Sequence, residues 1–447
     1  MRVLLISPIS RSKLLGSNFY FKLPFLSLPT LAGFTPPGID VEIIDERVDE
    51  IPWNARPDLI GITAMTPLAS RAYEIADFFR ARGIPVVLGG MHPSVLPEEA
   101  LEHADAVVVG EAEGIWERVV EDARSGRLSG IYRTEGFTDL SACTAKPRRD
   151  PGKYLPVTFI ETSRGCPHAC NFCAVTRFFG GRHRTFSIDR VVEQLKEIKP
   201  VESRFALKNC VFFVDDNIIG QPDHAAALFE AIRPFKLKWF GQASIGLAQR
   251  PDLLKAMAET GCMGLEIGFE TISDDPESKK IGKPIKDPKE VIEAVKFIHS
   301  YGIGVQGSFI FGFDHDDPGL FGRTARFVQR ANLDAVYVGI LTPYPGTKIF
   351  KRLEEEGRIL HTNWDAYDTA NVVFEPKGMT REELQNGYYF MLKQIYSLRN
   401  MARRFIGSRT QMAFFIPMNI GFKISLKRMF REMALQSENH SAKKNAG

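Results

Sequence analysis

Short apolar runs alternate with helical segments along most of the chain, and this alternation restricts the possible folds more than any other feature of the sequence. In the first 130 residues, apolar runs typical of fully buried strands occur at 2–7, 41–46, 59–65, 84–90 and 105–114. Residues 70–83 between them have helical spacing and end in glycine. Because strands that alternate with helices form parallel sheets, this part predicts a Rossmann-like, doubly wound parallel sheet.

A second series of the same kind follows a turn-rich segment of little periodicity. It opens with a strand at 157–165, and later strands are expected at 210–217, 238–244, 264–271, 304–313 and 335–341. Six strands with five intervening helices favour a partial, open (β/α)6 barrel over a closed barrel of eight strands. The predicted fold class is therefore α/β, with a helical region after the barrel.

The composition supports folded domains along this length, because 44% of the 447 residues are hydrophobic. We expect a Rossmann-like domain at 1–130, a linker at 131–155, a barrel at 156–345, a mostly helical region at 346–437 and a disordered tail at 438–447. The opening residues MRVLLISPIS predict a buried strand and not a secretion signal. Six cysteines are too few for a disulfide framework, so we expect a cytoplasmic protein.

Half of the cysteines lie within eight residues, at Cys166, Cys170 and Cys173 in the segment SRGCPHACNFCAV. Three thiolates on one loop after a strand can bind three irons of a cubane cluster and leave the fourth iron without a protein ligand. Zinc is the alternative, but a structural zinc site needs four ligands, and His168 could complete it only with awkward geometry. The spacing therefore favours an iron–sulfur cluster.

This loop resembles the signature of the radical S-adenosylmethionine (SAM) enzymes, including the aromatic Phe172 before the last cysteine. The segments FVDDN, LEIGFET, SFIFGF and LTPYPGTKIFKRLEEEGRI, and the tryptophan and tyrosine at 364 and 367, also resemble this superfamily. The N-terminal domain, with ITAMT, GGMHPS and VVVGEAEG, resembles the cobalamin-binding domain of one branch. That branch contains methylases, hopanoid-modifying enzymes and the anaerobic magnesium-protoporphyrin cyclase. The resemblance implies a [4Fe-4S] cluster, SAM and cobalamin.

The resemblance also implies residue roles in the barrel. Cys166, Cys170 and Cys173 would bind the cluster. The SAM contacts would be Phe172 near the adenine, Asp215 and Asp216 near the methionine amino group, Ser244 at the third strand end, Glu266 and Glu270 on the fourth strand with Glu270 at the ribose, and Gly307 and Gly312 beside the adenine. For the acidic residues, strand-end capping and salt bridging are the alternative.

For cobalamin, the resemblance selects loop residues at the carboxyl ends of the N-terminal strands: Thr63, Met65, Thr66, Gly89, Gly90, His92 and Glu111. A DxHxxG motif, whose histidine binds cobalt in many such domains, is absent from the sequence. We therefore expect no histidine on cobalt and place His92 near the corrin edge or the nucleotide tail. A loop histidine bonded to backbone, or a vestigial domain that binds no cobalamin, are the alternatives.

The activity implied is that of a cobalamin-dependent methyltransferase acting on an unactivated carbon. In such enzymes one SAM methylates cob(I)alamin, and a second gives a 5′-deoxyadenosyl radical that abstracts a substrate hydrogen. The alternatives are a radical cyclisation, rearrangement or C–C bond formation without methyl transfer, and a non-catalytic metal-binding module. Tyr344 and Thr347, in the loop after the sixth barrel strand, could contact the small-molecule substrate or serve only to form a turn.

Basic charge is concentrated at the end of the chain: residues 401–447 have a net charge of +7, and the preceding 400 residues have −4. Because the body of the chain has no excess of basic residues, we expect no nucleic-acid partner. Four apolar residues there recur at helical spacing, and basic residues take the other face: Phe422, Leu426, Met429 and Met433 against Lys423, Lys427, Arg428 and Arg431. Such a segment can lie in a membrane interface at the inner face of the membrane, which would suit a lipid or polyisoprenoid substrate. Docking of this helix on the barrel is the alternative. A flavodoxin or ferredoxin would supply electrons.

Overall fold

The computed structural model describes residues 1–11, 23, 25–143, 154–198, 210–273, 287–406, 408 and 410–445, with side chains described as far as Ala434. Residues 144–153, the middle part of the predicted linker at 131–155, therefore lie outside the described residues.

The N-terminal domain is built on one parallel sheet of six strands in the order β2-β1-β3-β4-β5-β6. Its strands are β1 Arg2–Ser7, β2 Asp40–Asp45, β3 Leu59–Thr63, β4 Val86–Gly89, β5 Ala106–Val109 and β6 Gly130–Arg133. In the register of the sheet, Ser7 pairs with Asp45, and Ile62 of β3 pairs with Ile6 and Leu88. The chain reverses direction across the sheet between β1 and β3, which is where open α/β sheets bind ligands.

Helices cover both faces of this sheet, so its strands are buried on both sides as their apolar sequences predict. One face packs on α1 Ser27–Phe34 and α5 Trp116–Arg124, and the other packs on α2 Ala69–Arg80, the short α3 Met91–Val95 and α4 Pro97–His103. Each face has its own hydrophobic core, one around Trp116 and the other around Phe79.

The sixth strand was not predicted, because β6 falls across the predicted boundary at residue 130. Its Ile131 and Tyr132 pair with Val107 and Val108 of β5. The run GIYR is short and only half apolar, so it carries little sequence signal, and the sheet edge supplies the hydrogen bonds that make it a strand. The N-terminal sheet therefore extends to Arg133, three residues into the predicted linker.

The second domain is an open barrel of six parallel strands in the order β14-β13-β12-β11-β10-β7, as predicted. They are β7 Thr158–Ile160, β10 Cys210–Phe213, β11 Lys238–Ala243, β12 Cys262–Glu270, β13 Gly304–Phe311 and β14 Ala335–Ile340. The helices that alternate with them are α7 Ile188–Lys196, α8 Pro222–Ile232, α9 Pro251–Glu259, α10 Pro288–Ser300 and α11 Leu320–Arg330. The predicted fold class, a doubly wound sheet followed by a partial barrel, is confirmed.

The outer and inner faces of the barrel are chemically different. Alternate residues such as Val211, Leu265 and Val305 point outward into the largest hydrophobic core, under the helices. At the amino ends of the strands, the inner face is filled by Phe415, which packs with Phe240 and Ala335. The carboxyl end of the barrel is left for polar side chains.

The C-terminal region is helical: α12 Lys348–Glu355, α13 Arg381–Ile395, α14 Leu398–Ile406 and α15 Met412–Asn445. The last helix runs through the predicted disordered tail at 438–447 as far as Asn445, since residues such as alanine, lysine and glutamate there favour helix. Leu426 and Met429 of α15 are buried in the barrel core, and Phe422 and Met433 pack against it. The apolar side of this helix therefore docks on the barrel and is not exposed for a membrane. Among the described residues, no helix is long and apolar enough to cross a membrane.

Candidate active site

The three clustered cysteines lie on a loop at the carboxyl end of the first barrel strand. Two short strands that were not predicted, β8 Ser163–Arg164 and β9 Arg184–Thr185, pair antiparallel and close this loop. Gly165 begins the loop with φ +87°, and a Cβ there would lie 2.0 Å from the carbonyl oxygen of Arg182. Only glycine allows this close approach, so Gly165 fixes where the loop begins.

Two aspartates hold the chain that leads into the loop. Asp215 Oδ1 accepts hydrogen bonds from the backbone N–H groups of Thr162 and Ser163, both at 2.7 Å, and Oδ2 accepts from Thr162 Oγ1 at 2.6 Å. Asp216 accepts from the Gly165 N–H at 2.8 Å. Asp215 is completely buried, and burial raises its pKa to about 7. Burial likewise raises the pKa of Asp216 to about 6. Both carboxylates thus accept hydrogen bonds from the backbone around the loop. The resemblance, by contrast, implied that they contact SAM.

The cysteine side chains suit a cluster better than a single ion. Cys166, Cys170 and Cys173 are each partly buried, and the described cysteines form no disulfide. Within the described ranges, no group of three or more His, Cys, Asp or Glu side chains is placed to hold one metal ion. His168 is exposed. Three thiolates on one loop match the three protein ligands of a [4Fe-4S] cluster, whereas a structural zinc site needs four ligands.

The predicted SAM residues of the fourth barrel strand lie in its carboxyl-terminal half. Glu266 accepts a hydrogen bond from Ser308 Oγ at 2.7 Å across β12 and β13. Glu270 ends β12 after a register irregularity, with φ +64° and 8% of its surface exposed. Because Leu265 and Ile267 point into the outer core, Glu266 between them points inward.

The other predicted SAM residues are placed differently. A Cβ on Gly307 would lie 2.6 Å from Leu333 and 2.8 Å from Phe269, so this glycine makes room in the outer core and not toward the interior. A Cβ on Gly312 would meet Leu384 at 2.9 Å. Phe172 of the cysteine loop packs edge-on against Phe313, 5.8 Å between ring centroids. Ser244 follows β11 and begins a 3-10 turn.

A cavity of about 350 Å³ opens at the carboxyl edge of the N-terminal sheet and reaches the barrel. On the sheet side it is lined by five of the predicted cobalamin residues, Thr63, Met65, Gly89, Gly90 and Glu111. Leu28 and Leu31 of α1 form one wall. On the barrel side it is lined by Glu161, Arg164, Phe178 and Phe179, which flank the cysteine loop. The cavity therefore joins the switch point of one domain to the cluster loop of the other.

Two of the predicted cobalamin residues, His92 and Thr66, are not among the residues that line this cavity, and the placement of His92 near a corrin stays a prediction. His92 is completely buried, with Nδ1 3.3 Å from Thr66 Oγ1 and Nε2 3.2 Å from Glu99 Oε1. Glu99 also accepts from Trp364 Nε1 at 2.9 Å, which brings the C-terminal region onto the N-terminal domain. His92 bonds side chains of this junction, whereas the sequence alternative had it bonding backbone.

A buried network of charges crosses between the two domains beside the cavity. Arg164 Nη1 lies 2.7 Å from Glu111 and 2.8 Å from Glu113, and its Nη2 lies 2.9 Å from Glu161. Arg184 binds Glu111 at 2.8 Å. Burial alone would raise the pKa of Glu111, but Arg184 and Arg164 outweigh burial and hold that pKa below its usual range. The two arginines therefore keep a carboxylate ionised at the cavity wall.

The loop after β14 lies against the cysteine loop. The Ile349 N–H donates to the carbonyl oxygen of Asn171 at 3.0 Å. Tyr344 and Thr347, the predicted substrate contacts, bond each other: Thr347 Oγ1 donates to the Tyr344 carbonyl at 2.6 Å and caps α12 through the Phe350 N–H. These bonds form a turn. Burial raises the pKa of the Tyr344 hydroxyl.

Sequence reasoning missed the residues that connect the domains: Glu113, Glu161, Arg164, Arg184, Glu99 and Trp364. Glu113 lies in the segment VVVGEAEG, and Arg164 lies in the segment SRGCPHACNFCAV. A charged residue within an otherwise small and apolar motif was the available signal, but its partner in the other domain could not be read from one sequence.

The family comparisons agree with this division of the chain. Residues 160–328 match the radical SAM superfamily, residues 13–120 match the B12 binding domain, and residues 347–431 match a domain of unknown function, DUF4070.

Two relatives are similar over most of their length. The chain is 30% identical to bacteriochlorophyllide d C-12(1)-methyltransferase of Chlorobaculum tepidum, over 92% of this chain and 91% of that protein. It is 29% identical to bacteriochlorophyllide d C-8(2)-methyltransferase of the same organism, over 78% and 80% of the two chains. Among solved structures, the cobalamin-dependent SAM radical enzyme OxsB with aqua-cobalamin bound has a TM-score of 0.64 at 15% identity, covering 97% of this chain and 80% of that one. This last likeness is one of fold.

Proposed function

Because the chain belongs to the radical SAM methyltransferases that carry an N-terminal B12-binding domain, we propose that it transfers a methyl group to an unactivated carbon of a large apolar substrate. The observation that carries the proposal is the cavity between the domains. It is lined by the B12-domain loops on one side and by the residues around the cysteine loop on the other. A corrinoid held there would stand beside the iron–sulfur cluster, as successive methylation and radical steps require.

Three sets of residues are proposed to hold the groups. Cys166, Cys170 and Cys173 bind three irons of a [4Fe-4S] cluster. Phe172, Ser244, Glu266 and Glu270 contact SAM. When bound, the cluster and SAM supply a 5′-deoxyadenosyl radical, and cobalamin carries the methyl group. Asp215 and Asp216 hold the loop backbone, and Gly307 and Gly312 allow close packing around their strand. These four residues are proposed to position the SAM site without contacting SAM.

Cobalamin is proposed to lie against Thr63, Met65, Gly89, Gly90 and Glu111. Gly90 has φ +99°, and a Cβ there would lie 2.8 Å from the carbonyl oxygen of Ala64, so the loop needs glycine to stay open. Residues of α1 and Trp116 give the cavity an apolar wall. His92 is bonded to Thr66 and Glu99 outside the cavity, which supports a corrinoid without a histidine ligand.

The substrate class is proposed from the relatives. Two methyltransferases with almost equal identity to this chain act, by their names, on different carbons of the same bacteriochlorophyllide. Identity at this level therefore supports a shared reaction and not a shared position. We propose a chlorin-type tetrapyrrole as the first substrate class to test, with lipids and polyisoprenoids as the second. A flavodoxin or ferredoxin is proposed as the electron donor.

Radical cyclisation or rearrangement without methyl transfer is less well supported, because both of these relatives are methyltransferases. A non-catalytic metal module is also disfavoured, because it would need neither the inward-facing Glu266 nor the cavity between the domains.

The proposal is tested by anaerobic purification from cobalamin-fed cells, with iron, sulfide and extracted corrinoid measured per chain. About four irons and one corrinoid are expected. Four irons without corrinoid, even after reconstitution, would contradict the methyltransferase and favour the cyclisation. Zinc in place of iron would contradict the whole proposal.

A further inference from the structure

The surface of the C-terminal helices has an unusual charge composition. From residue 398 to residue 431 the sequence has no Asp or Glu, but it has eight basic residues: Arg399, Arg403, Arg404, Arg409, Lys423, Lys427, Arg428 and Arg431. The first 400 residues, by contrast, have a balance of −4. A folded surface normally mixes positive and negative side chains. A basic stretch of this length without Asp or Glu therefore suits an anionic partner.

The face that α15 presents to this partner is not its apolar one. Leu426 is 8% exposed and Met429 is 4% exposed, because both are covered by the barrel. Ile420, Lys427, Arg428 and Arg431 are exposed on the opposite side. At 100° per residue, these positions fall within one third of the helix circumference. The outward face of α15 is therefore basic with one large apolar residue.

Helix α14 presents a stronger version of the same pattern. Leu398 and Ile406 are 70% and 86% exposed, the two highest values among the large apolar side chains of the described residues that are exposed. Ala402 lies between them on the same face, and Arg399 and Arg403 lie along one side of this apolar stripe. Two large aliphatic side chains in water are unfavourable relative to burial, so this stripe favours a partner that covers it.

The two helices are held together. Arg404, which is 1% exposed, donates from Nη2 to Asn419 Oδ1 at 2.9 Å and from Nη1 to the Ile395 carbonyl at 2.8 Å. Lys423 Nζ donates to the Tyr396 carbonyl at 3.0 Å. The exposed residues thus stand on fixed helices, which lowers the entropy cost of binding a surface.

We propose that the outward faces of α14 and α15, defined by Leu398, Ile406 and Ile420 with Arg399, Arg403, Lys427, Arg428 and Arg431, dock on a membrane surface that contains anionic lipids. Aliphatic residues beside basic ones are the pattern of interfacial helices, in which the apolar side chains enter the headgroup boundary and the cations meet the lipid phosphates. Charge complementarity selects the anionic surface, and the exposed aliphatic residues select a lipid surface over a free anion.

An acidic electron-transfer protein is the main competing partner, and position argues against it. Phe415, near the start of α15, fills the barrel at Gly264 and Gly304, close to the amino ends of β12 and β13. The cysteine loop lies at the other end of the strands. A strand of eight residues spans roughly 26 Å, so a redox protein on these helices would sit a barrel length away from the cluster.

The inference does not depend on the proposed methyl transfer, and its test uses binding alone. The anaerobic holoprotein is sedimented with vesicles of phosphatidylcholine, with and without phosphatidylglycerol, at low and high salt. Binding is expected only with phosphatidylglycerol and should weaken with salt. The double variant Arg399→Gln/Arg403→Gln should bind at least roughly tenfold more weakly, and Leu398→Ser/Ile406→Ser should also lose binding.

Phe297→Ser is the matched control, because Phe297 is an apolar residue of α10 that is 40% exposed. This variant should bind vesicles like the parent protein. Circular dichroism and the iron content show whether each variant is folded. Equal sedimentation with neutral vesicles, or unchanged binding of both double variants in folded protein, would overturn the proposal. So would a dimer in light scattering that the Leu398→Ser/Ile406→Ser variant converts to monomer, because a second copy would then cover this face.

Discussion

Arg164 Nη1 lies 2.7 Å from Glu111 Oε1, and this buried ion pair joins the barrel to the N-terminal domain. Arg164 ends the short strand β8 and precedes Cys166 by two residues, whereas Glu111 follows β5 and lines the cavity. The same residue pair therefore fixes both the cysteine loop and the proposed cobalamin wall. Buried charges cost free energy unless all are paired, which makes this contact sensitive to position.

Replacement of Glu111 by glutamine should separate the two halves of the reaction. Arg164 and Arg184 would lose their shared carboxylate inside the protein, which costs on the order of 3–5 kcal/mol for a buried pair. We expect a lower Tm and a fall in methylated product relative to 5′-deoxyadenosine, since the cluster ligands are untouched. Glu42→Gln is the matched control: its pair with Arg2 is 44–45% exposed and should change Tm little. Equal Tm values for the two variants would contradict the structural role.

Asp215 should make stability depend on pH. Burial raises its pKa to about 7, above the value in the unfolded chain. The folded state therefore holds the proton more tightly, and the free energy of unfolding falls as pH rises from about 4 to about 7. Asp215→Asn can keep the Oδ1 bonds to the loop backbone and donate to Thr162 Oγ1 instead of accepting.

The Asn variant should lose less stability over that pH range, by on the order of 4 kcal/mol. Melting curves of parent and variant holoprotein at several pH values, recorded anaerobically, measure the difference. Parallel curves would show that Asp215 does not titrate in this range.

Gly304→Ala tests the filling of the barrel by α15. A Cβ at this position would lie 2.1 Å from the Phe415 ring, so overpacking should destabilise the fold by about 1–3 kcal/mol. Gly322→Ala, on α11, is the control, because its Cβ would meet only Arg326 Nη1 at 3.5 Å and alanine favours helix. The added substitution Phe415→Leu should recover part of the loss in urea unfolding. An additive double variant would mean that the two residues do not meet.

Corrinoid and iron should be lost independently. Gly89 lines the cavity, and a Cβ there has ordinary contacts at 3.8 Å with Val108, so Gly89→Leu can fold and fill the cavity. We expect this variant to keep its iron and lose its corrinoid. Cys166→Ala serves as the reciprocal control and should keep corrinoid and lose iron. Loss of both groups from Gly89→Leu, or neither, would contradict the placement of cobalamin.

The sequence was sufficient for the fold class, because buried parallel strands produce apolar runs that need no partner information. It also located the cysteine loop and the glutamates of β12, whose spacing is local. It left the positions of His92 and the tail helix open for a common reason. The side chains of each could serve more than one role, and only the packing of a distant element shows that Glu99 bonds His92 and that the barrel core covers the apolar side of the helix.

The contacts between the domains lay beyond the sequence altogether. Glu111 and Arg164 are 53 residues apart, and Trp364 meets Glu99 across 265 residues. Hydrophobic periodicity reports which face of an element is buried, but it does not report which charged residue will neutralise another. The short strands β8 and β9 were missed for a related reason, since a two-residue strand is defined by its partner and not by its own residues.

The central claim is that one site, between the two domains, carries methyl transfer. In the most direct test, the reconstituted enzyme and a reductant are incubated with SAM that has a deuterated methyl group. The candidate substrates, tested separately, are chlorin-type tetrapyrroles and a lipid extract. The account predicts a product that has gained the intact deuterated methyl group, together with 5′-deoxyadenosine. Formation of 5′-deoxyadenosine with a substrate-derived product that contains no deuterated methyl would contradict it and identify a radical rearrangement instead.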